Sequence, residues 1–251
     1  MKMINLFILL FITSCAHPKL YSSHALLATS WFQNASEVKA LQYQAFNAAT
    51  ANLKKILETK RGKTIAVVLD IDETVLDNSP HSAKSIKENF AYPTQWKEWI
   101  ESSKAEAIPG AKEFLDFANL KGVHLYYISN RKEGSLKATI RNLEKVGFPY
   151  KEENIFLRVD SSKKEKRRQK VKQEIVMLVG DALGDFGSFF EHKTMDERSS
   201  IVDQKKSLFG SQFIVLPNPM YGEWEGAIYK YDWKKTSREK RKTLKSNLKA
   251  F

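Results

Sequence analysis

The sequence predicts an α/β protein built on a doubly wound parallel sheet. Short, unbroken runs of apolar residues alternate along the chain with segments of helical periodicity. An apolar run without alternation is typical of a strand buried on both faces, as in a parallel sheet. Strands that alternate with helices build such a sheet through right-handed crossovers. With 251 residues, 42% of them apolar, the chain is expected to form one large domain, which argues against disorder.

We divide the chain into four parts. Residues 1–14 are expected to be a lipoprotein signal peptide, and residues 15–62 a tether followed by a helical segment. Residues 63–230 form the predicted α/β core, with an insert at residues 81–105, and residues 231–251 form a basic helix. The helices outside the core, together with the insert, are expected to make a small helical cover over the functional site.

Each element follows from a local pattern. Between residues 25 and 57, apolar side chains recur at three- and four-residue steps, with a slip near Ala35 where Ser36 could cap a second helix. Gly62 ends this segment. Further helices are expected at residues 111–120, 135–146 and, strongly basic, 162–173, with a short helix capped by Thr94. The predicted strands cover residues 64–69, 123–128, 154–157, 175–179 and 212–216.

The chain is strongly basic, with 41 Lys and Arg against 29 Asp and Glu and a formal charge of +12. This excess allows anionic partners of any kind, including nucleic acid, anionic lipid and phosphorylated small molecules. The basic carboxyl-terminal segment at residues 237–249 lacks interleaved aromatic residues and any nucleic-acid motif. We therefore expect a solvated helix there and no nucleic-acid polymer as a partner.

The amino terminus has the layout of a secretory signal. A short basic start precedes an apolar run at residues 4–12 that is too short to span a bilayer. Ile12-Thr13-Ser14-Cys15 resembles the bacterial lipobox, which implies cleavage before Cys15 and a membrane-anchoring lipid on its sulfur. Ala16 in place of Asp implies the outer membrane. The alternative is an ordinary signal peptide with a chance cysteine, and this single cysteine excludes an internal disulfide.

Polar residues follow three of the predicted strands. Asp70 and Asp72 come after the first, Ser129 and Asn130 after the second, and Asp181, followed by Asp185, after the fourth. Because the carboxyl ends of parallel strands share one edge of the sheet, we expect these side chains to converge. Two neighbouring carboxylates repel each other unless a cation lies between them or one of them keeps a proton.

These groups suit phosphoryl transfer. Mg²⁺ prefers one or two carboxylates together with phosphate oxygen and water, and Asp70 and Asp181 could supply the carboxylates. Asp70 could attack phosphorus, while Asp72 could protonate the leaving oxygen and later deprotonate water. Ser129, Asn130 and a lysine could hold the transferring oxygens.

Several stretches form one joint pattern across the chain. They are Asp70-Ile71-Asp72-Glu73-Thr74 with Leu76-Asp77-Asn78-Ser79-Pro80, then Ser129-Asn130-Arg131, the basic run at residues 160–168, Val179-Gly180-Asp181-Ala182-Leu183-Gly184-Asp185-Phe186, and residues 202–204 and 216–226. Together they resemble the motifs of class C acid phosphatases, which are bacterial surface lipoproteins of the haloacid dehalogenase superfamily (DDDD phosphohydrolases). The resemblance runs from the lipobox to about residue 229.

The resemblance implies a role for each matching acid. Asp70 would be the nucleophile and Asp72 the acid/base. Mg²⁺ would be held by Asp70, the backbone carbonyl of Asp72 and Asp181, with Asp185 close by. The implied activity is an acid phosphatase acting on phosphomonoesters, often 5′-nucleotides and, in some members, nicotinamide mononucleotide.

Further residues match binding positions of the family. Phosphate would be bound by Ser129, Asn130 and Lys164, with Lys163 as the substitute for Lys164 because both lie in one charge run. Trp96 and Tyr221 match aromatic positions that stack on the substrate, or else they are plain core aromatics. Trp31, Trp99 and Trp224 are expected to be packing residues.

Three positions depart from the family pattern. His81 stands where Tyr is usual, Ala182 replaces a usual Asn, and Gly184 replaces a usual acid. His81 could be a second acid/base, since histidine titrates near neutrality, or could merely replace a hydroxyl. The departures put the substrate preference in question rather than the activity.

Two alternatives to a nucleotide phosphatase stay open at this point. One is an enzyme of the same superfamily that hydrolyses sugar phosphates or other small phosphate esters. The other is a non-catalytic binding lipoprotein that kept the fold. The oligomeric state is also open, a dimer included.

Overall fold

A computed structural model of the chain describes residues 21–251, with side chains from residue 25 onward. Its centre is a five-stranded, all-parallel sheet with β1 (Ile65–Leu69) in the middle. On one side lie β4 (His124–Lys132) and then β5 (Ile155–Arg158); on the other lie β6 (Glu174–Gly180) and then β7 (Phe213–Val215). This order confirms the predicted α/β fold. The topological switch point lies between β1 and β6, because the chain proceeds from β1 to β4 and β5 on one side and then crosses to β6 on the other.

The helices and a small second sheet surround this core. The second sheet pairs β2 (Leu76–Asp77) with β3 (Glu106–Ala107) in antiparallel fashion. The α-helices are α1 Tyr21–Asn34, α2 Ser36–Thr59, α3 Ser79–Lys87, α4 Trp96–Ser102, α5 Ala111–Leu120, α6 Leu136–Lys145, α7 Glu165–Arg168, α8 Met195–Gln204, α9 Glu223–Ile228 and α10 Ser237–Ser246. Short 3-10 turns occupy Glu133–Ser135, Glu152–Asn154, Leu183–Asp185, Ser188–Phe190 and Lys206–Leu208.

The core explains why β1 reads as an unbroken apolar run. All five of its residues are buried, and they alternate between two hydrophobic clusters. Val67 and Leu69 pack into the larger cluster with Leu53 of α2, while Ala66 and Val68 pack on the opposite face. Because both faces of the strand are covered, no position on it can be polar. The first polar residue therefore marks the point where the strand leaves the core.

The break between the first two helices lies where it was predicted, at Ala35, which has an extended backbone (φ −78°, ψ 129°). The expected cap is wrong, however. Ser36 is the first residue of α2 rather than its cap, and Ala35 cannot accept a hydrogen bond through its methyl side chain.

Three further expectations about secondary structure are wrong. Thr94 does not cap the short helix α4, since Gln95 directly precedes this helix and no side chain makes a capping hydrogen bond there. The second strand does not stop at residue 128 but continues to Lys132, so Ser129 and Asn130 lie within β4. The basic helix expected at residues 162–173 is reduced to the single turn of α7. The reason is that Arg167 and Arg168 are buried and donate to backbone carbonyls of the site instead of lining a solvated helix face.

No helix within residues 21–251 is both long enough and apolar enough to cross a bilayer. The signal peptide predicted at residues 1–14 and the lipid site predicted at Cys15 lie outside the described residues.

Candidate active site

The predicted acids converge at the carboxyl edge of the sheet, between β1 and β6. Asp70 follows β1 directly, and its backbone N–H donates to the carbonyl of Val179 in β6 (2.9 Å). Asp181 follows β6, so both carboxylates lie at the switch point, where open α/β sheets hold their ligands.

Asp70, Asp181 and Asp185 form a compact acidic cluster. Each offers one carboxylate oxygen, and these oxygens lie within 4.8 Å of one another. Burial raises the pKa of Asp70 well above its usual value, and the neighbouring aspartates raise it further. Burial and Asp185 likewise raise the pKa of Asp181 to about 7. Three hard oxygen donors whose charges repel one another are a donor set suited to a divalent cation such as Mg²⁺.

Lys164 partly compensates this cluster. Its ammonium nitrogen lies 2.7 Å from Asp70 Oδ1 and 2.6 Å from Asp185 Oδ1, and its side chain is only 6% exposed. Burial alone would lower the pKa of Lys164, but Asp185 and Asp70 raise it above the usual value, so the lysine stays charged. The alternative residue Lys163 is exposed at the mouth of the site. The structure therefore brings Lys164, and not Lys163, to the acids.

Asp72 lies in a different electrostatic environment although it is only two residues from Asp70. Its Oδ1 accepts hydrogen bonds from Arg131 Nε (2.9 Å) and from Asn78 Nδ2 (2.8 Å), with Arg131 Nη2 also 2.8 Å away. Its Oδ2 accepts from the Ser129 hydroxyl at 3.3 Å. One carboxylate thus joins the acidic cluster while the other is surrounded by donors.

Local contacts orient the remaining acids. The Thr74 hydroxyl donates to Asp181 Oδ1 (3.1 Å), and Asn218 Nδ2 donates to Asp181 Oδ2 (2.9 Å). Asp185 Oδ2 accepts from the backbone N–H of Ala182 (3.0 Å). Gly180 leaves room for this arrangement, because a β-carbon there would lie 2.3 Å from Asp185 Oδ2.

The predicted phosphate-binding pair on β4 is divided by its surroundings. Ser129 is fully buried and its hydroxyl contacts Asp72, whereas Asn130 is exposed and lines the cavity above the acids. Arg167 contacts both residues of this pair. It donates to the backbone carbonyl of Ser129 and, at 2.6 Å, to Asn130 Oδ1.

Sequence reasoning assigned no role to several residues that shape this site. They are Asn78, Arg131, Arg167 and Asn218. Asn78, Arg131 and Asn218 lie within the stretches that resemble the family motifs, so their positions in the sequence could have indicated a role in the site. Arg167 lies in a charge run, where nothing local distinguishes a buried arginine from a solvated one.

A cavity of about 800 Å³ opens above the acids. Asp70, Asp72, Asn130, Lys164 and Asp181 line its floor, and residues of α1, α3, the segment before α4, and the carboxyl-terminal region line its walls. Trp96 and Tyr221 both lie in this wall, together with Tyr92, Trp224, Tyr229 and Trp233. Trp224 was expected to be a packing residue, but it lines the cavity and is 39% exposed.

His81 also lines this cavity, behind Trp96. Its Nε2 lies 3.0 Å from the carbonyl oxygen of Thr94, and its ring meets that of Trp96 edge-on at 5.1 Å. Burial lowers the pKa of His81, so the imidazole is neutral at neutral pH. His81 therefore contributes to the wall of the cavity, with Nε2 at the Thr94 carbonyl and the ring packed against Trp96.

Comparison with known proteins gives a consistent result. The family described as haloacid dehalogenase superfamily, subfamily IIIB (acid phosphatase) matches residues 17–224. The class C acid phosphatase from Bacillus anthracis with tungstate bound is 47% identical, with a TM-score of 0.89 over 92% of this chain and 99% of that chain. A second structure of the class C acid phosphatase from Bacillus anthracis is 48% identical, with a TM-score of 0.88 over 93% and 99%.

The close approach at Gly180 generates a prediction. Gly180→Ala should destabilise the protein by about 1–3 kcal/mol, because the new methyl group must displace the Asp185 carboxylate from its place beside Lys164. Urea denaturation measures this change. Gly134→Ala is the matched control, since a β-carbon there meets nothing within 4 Å. Equal stability of the two variants would contradict the close packing described at Gly180.

Proposed function

Because this chain belongs to the acid phosphatases of haloacid dehalogenase subfamily IIIB, and is therefore a phosphoric monoester hydrolase, we propose that it hydrolyses nucleoside 5′-monophosphates with Mg²⁺ through an aspartyl-phosphate. The observation that carries this proposal is the acidic cluster at the floor of an aromatic-walled cavity. Membership of an enzyme family, with all four aspartates in place, argues against the non-catalytic alternative.

The residues present fit a divalent metal. Asp70 and Asp181 would hold Mg²⁺ through their carboxylates, and Asp72 through its backbone carbonyl, with Asp185 close by. The raised pKa values of Asp70 and Asp181 support this assignment, because a buried group of acids gains most from a cation. When bound, the ion neutralises the charge of the acids and of the phosphate oxygens.

The first chemical step transfers the phosphoryl group to Asp70. A carboxylate oxygen of Asp70 attacks phosphorus, a new O–P bond forms, and the ester P–O bond breaks. The departing oxygen takes a proton from Asp72, so the alcohol leaves neutral and Asp72 becomes a carboxylate. Arg131, Asn78 and Ser129 hold Asp72 for this transfer.

The second step regenerates the enzyme. Asp72 takes a proton from water as the water oxygen attacks phosphorus, and the bond between phosphorus and Asp70 breaks. Inorganic phosphate leaves, Asp70 is again a carboxylate, and Asp72 is again protonated. Lys164 and Asn130 would bind the phosphate oxygens throughout, since the reaction depends chiefly on positioning and charge. The Ser129 hydroxyl has a single proton, which it donates to Asp72, so it could bind a phosphate oxygen only after releasing Asp72.

The shape and lining of the cavity support a nucleotide as substrate. Its volume of about 800 Å³ lies within the range of roughly 300–1,000 Å³ typical of small-molecule sites. Trp96 and Tyr221 are aromatic side chains of the cavity wall on which a flat base could stack, and a base offers a larger planar π surface than a sugar. The Bacillus anthracis relative with tungstate bound further supports a phosphate-like ligand for this chain, because tungstate is tetrahedral like phosphate.

A substrate panel tests the proposed reaction. We expect faster hydrolysis of nucleoside 5′-monophosphates than of sugar phosphates, because only the former have a base for the aromatic wall. Activity should disappear in EDTA and return with Mg²⁺. Phosphate release is the measurement. A consistent preference for sugar phosphates would favour the alternative substrate class, and full activity in EDTA would refute the metal.

Asp70→Asn should reduce turnover by at least about 1,000-fold, because an amide cannot form the acyl phosphate. The fold should persist, since the change is isosteric and removes a charge whose burial is unfavourable. Steady-state phosphate release and circular dichroism measure the two outcomes. Asp116→Asn, the same change at an exposed position of α5, serves as the control. Appreciable turnover in Asp70→Asn would refute the nucleophile.

We also propose that the protein is exported and anchored to the outer membrane through lipid on Cys15. The apolar run at residues 4–12 and the lipobox-like Ile12-Thr13-Ser14-Cys15 support this proposal. Metabolic labelling with palmitate should mark the wild type and not Cys15→Ser. Membrane fractions separated by density should contain the wild type with the outer membrane. Equal labelling of both proteins would contradict the lipid site.

A further inference from the structure

The two carboxylate oxygens of Asp72 are not equivalent. Oδ1 accepts hydrogen bonds from Arg131 Nε and Asn78 Nδ2, and Arg131 Nη2 lies 2.8 Å from the same oxygen. Oδ2 accepts only the longer bond of 3.3 Å from the Ser129 hydroxyl, among the side chains that the structure describes. Because the lone pairs of Oδ1 are already occupied by these donors, Oδ2 is the oxygen with a free lone pair for the transferred proton. The hydrogen-bond donors to Oδ1 therefore determine that Oδ2 is the oxygen that bears the proton.

Asn78 is one of these donors, and its carboxamide has to face one way. If the amide were rotated by 180°, its carbonyl oxygen would meet Asp72 Oδ1 and the two oxygens would repel. In the structure, Asn78 Oδ1 instead accepts from the indole N–H of Trp99 at 2.8 Å, with Arg131 Nη2 further away at 3.5 Å. Asn78 is 1% exposed, so water cannot replace a lost partner at low cost.

Trp99 is suited to select this orientation. An indole nitrogen can only donate a hydrogen bond. It can therefore pair with the carbonyl oxygen of Asn78 but not with the NH₂ group. The Trp99 ring lies partly buried against the main hydrophobic cluster, which fixes the position of the N–H. Trp99 was expected to be a packing residue, and this hydrogen bond gives it a second role.

We propose that Trp99 is a positioning residue that acts on Asp72 through Asn78. This inference rests on the proposed function, because it assumes that Asp72 donates a proton to the leaving oxygen. The chain of contacts runs from the indole N–H of Trp99 to Asn78 Oδ1, and from Asn78 Nδ2 to Asp72 Oδ1. Loss of the indole N–H leaves Asn78 Oδ1 with only the distant Arg131 Nη2, so the amide and, through it, Asp72 are held less firmly in the orientation that points Oδ2 towards the leaving oxygen.

This role predicts a dependence on the leaving group. An alkoxide is a strong base and needs the proton from Asp72 to depart, whereas 4-nitrophenolate is a weak base and departs with little assistance. Damage to the position of Asp72 should therefore slow the first chemical step more for alkyl phosphates than for aryl phosphates. A general loss of folding or of metal binding would slow both classes by the same factor.

The test is Trp99→Phe, which removes the N–H and keeps a large ring in the hydrophobic cluster. We expect kcat/KM, which reports only the steps up to the departure of the leaving group, to fall about 10-fold on 5′-AMP and glycerol 3-phosphate and several-fold less on 4-nitrophenyl phosphate. Trp31→Phe is the matched control, because Trp31 packs partly buried against the same cluster. This control should leave the ratio of alkyl to aryl rates as in the wild type.

A second background separates positioning from packing. In Asp72→Asn, which has no proton to donate, adding Trp99→Phe should cause no further change in the alkyl-to-aryl ratio. Two results would overturn the role of Trp99 and leave the proposed function standing. One is an alkyl-to-aryl ratio in Trp99→Phe equal to that of the wild type. The other is a drop in this ratio on adding Trp99→Phe to Asp72→Asn that equals the drop in the wild-type background. A wild-type protein inactive on every ester would overturn both.

Discussion

The buried acidic cluster is the constraint around which this site is arranged. Asp70, Asp181 and Asp185 place three carboxylate oxygens within 4.8 Å of one another, in surroundings that disfavour their charges. Such a group is tolerated only where positive charge and donors surround it. Lys164 supplies the charge, and the missing side chain of Gly180 supplies the space. The same unfavourable electrostatics make the cluster an attractive place for a divalent cation.

The two aspartates of the first motif show how neighbouring carboxylates come to lie in different surroundings. Asp70 lies in the acidic cluster, whereas Asp72 is held by Arg131 and Asn78 at one oxygen. The backbone between them leaves the sheet, so their side chains enter separate surroundings. A nucleophile needs a carboxylate that stays ionised, and an acid/base needs one that can exchange a proton. Because burial raises the pKa of Asp70, this residue meets the first requirement only with Lys164 and a cation beside it, whereas Asp72 could carry a proton on Oδ2.

Helix α4 links the cavity wall to the chemistry. Trp96, at its first residue, lines the cavity, and Trp99, one turn later, donates to Asn78 behind Asp72. Residues three apart on a helix share a face, so one short helix reaches both places. In the proposed mechanism, the segment that would contact the base of a substrate would thus also help to place the proton donor.

The sequence by itself determined the strands, the acids at their ends and the family, because burial on both faces of a sheet requires apolar runs and parallel strands share an edge. Only the tertiary structure decided the hydrogen-bond partners of the polar residues around those acids. Arg167 reaches Asn130, which is 37 residues away, and Trp99 reaches Asn78 from 21 residues away. Local patterns of polarity indicate which apolar side chains are buried, but not which charged side chains are buried or which distant partner a polar side chain meets. That choice depends on the path of the loops, which is fixed only when the whole chain packs.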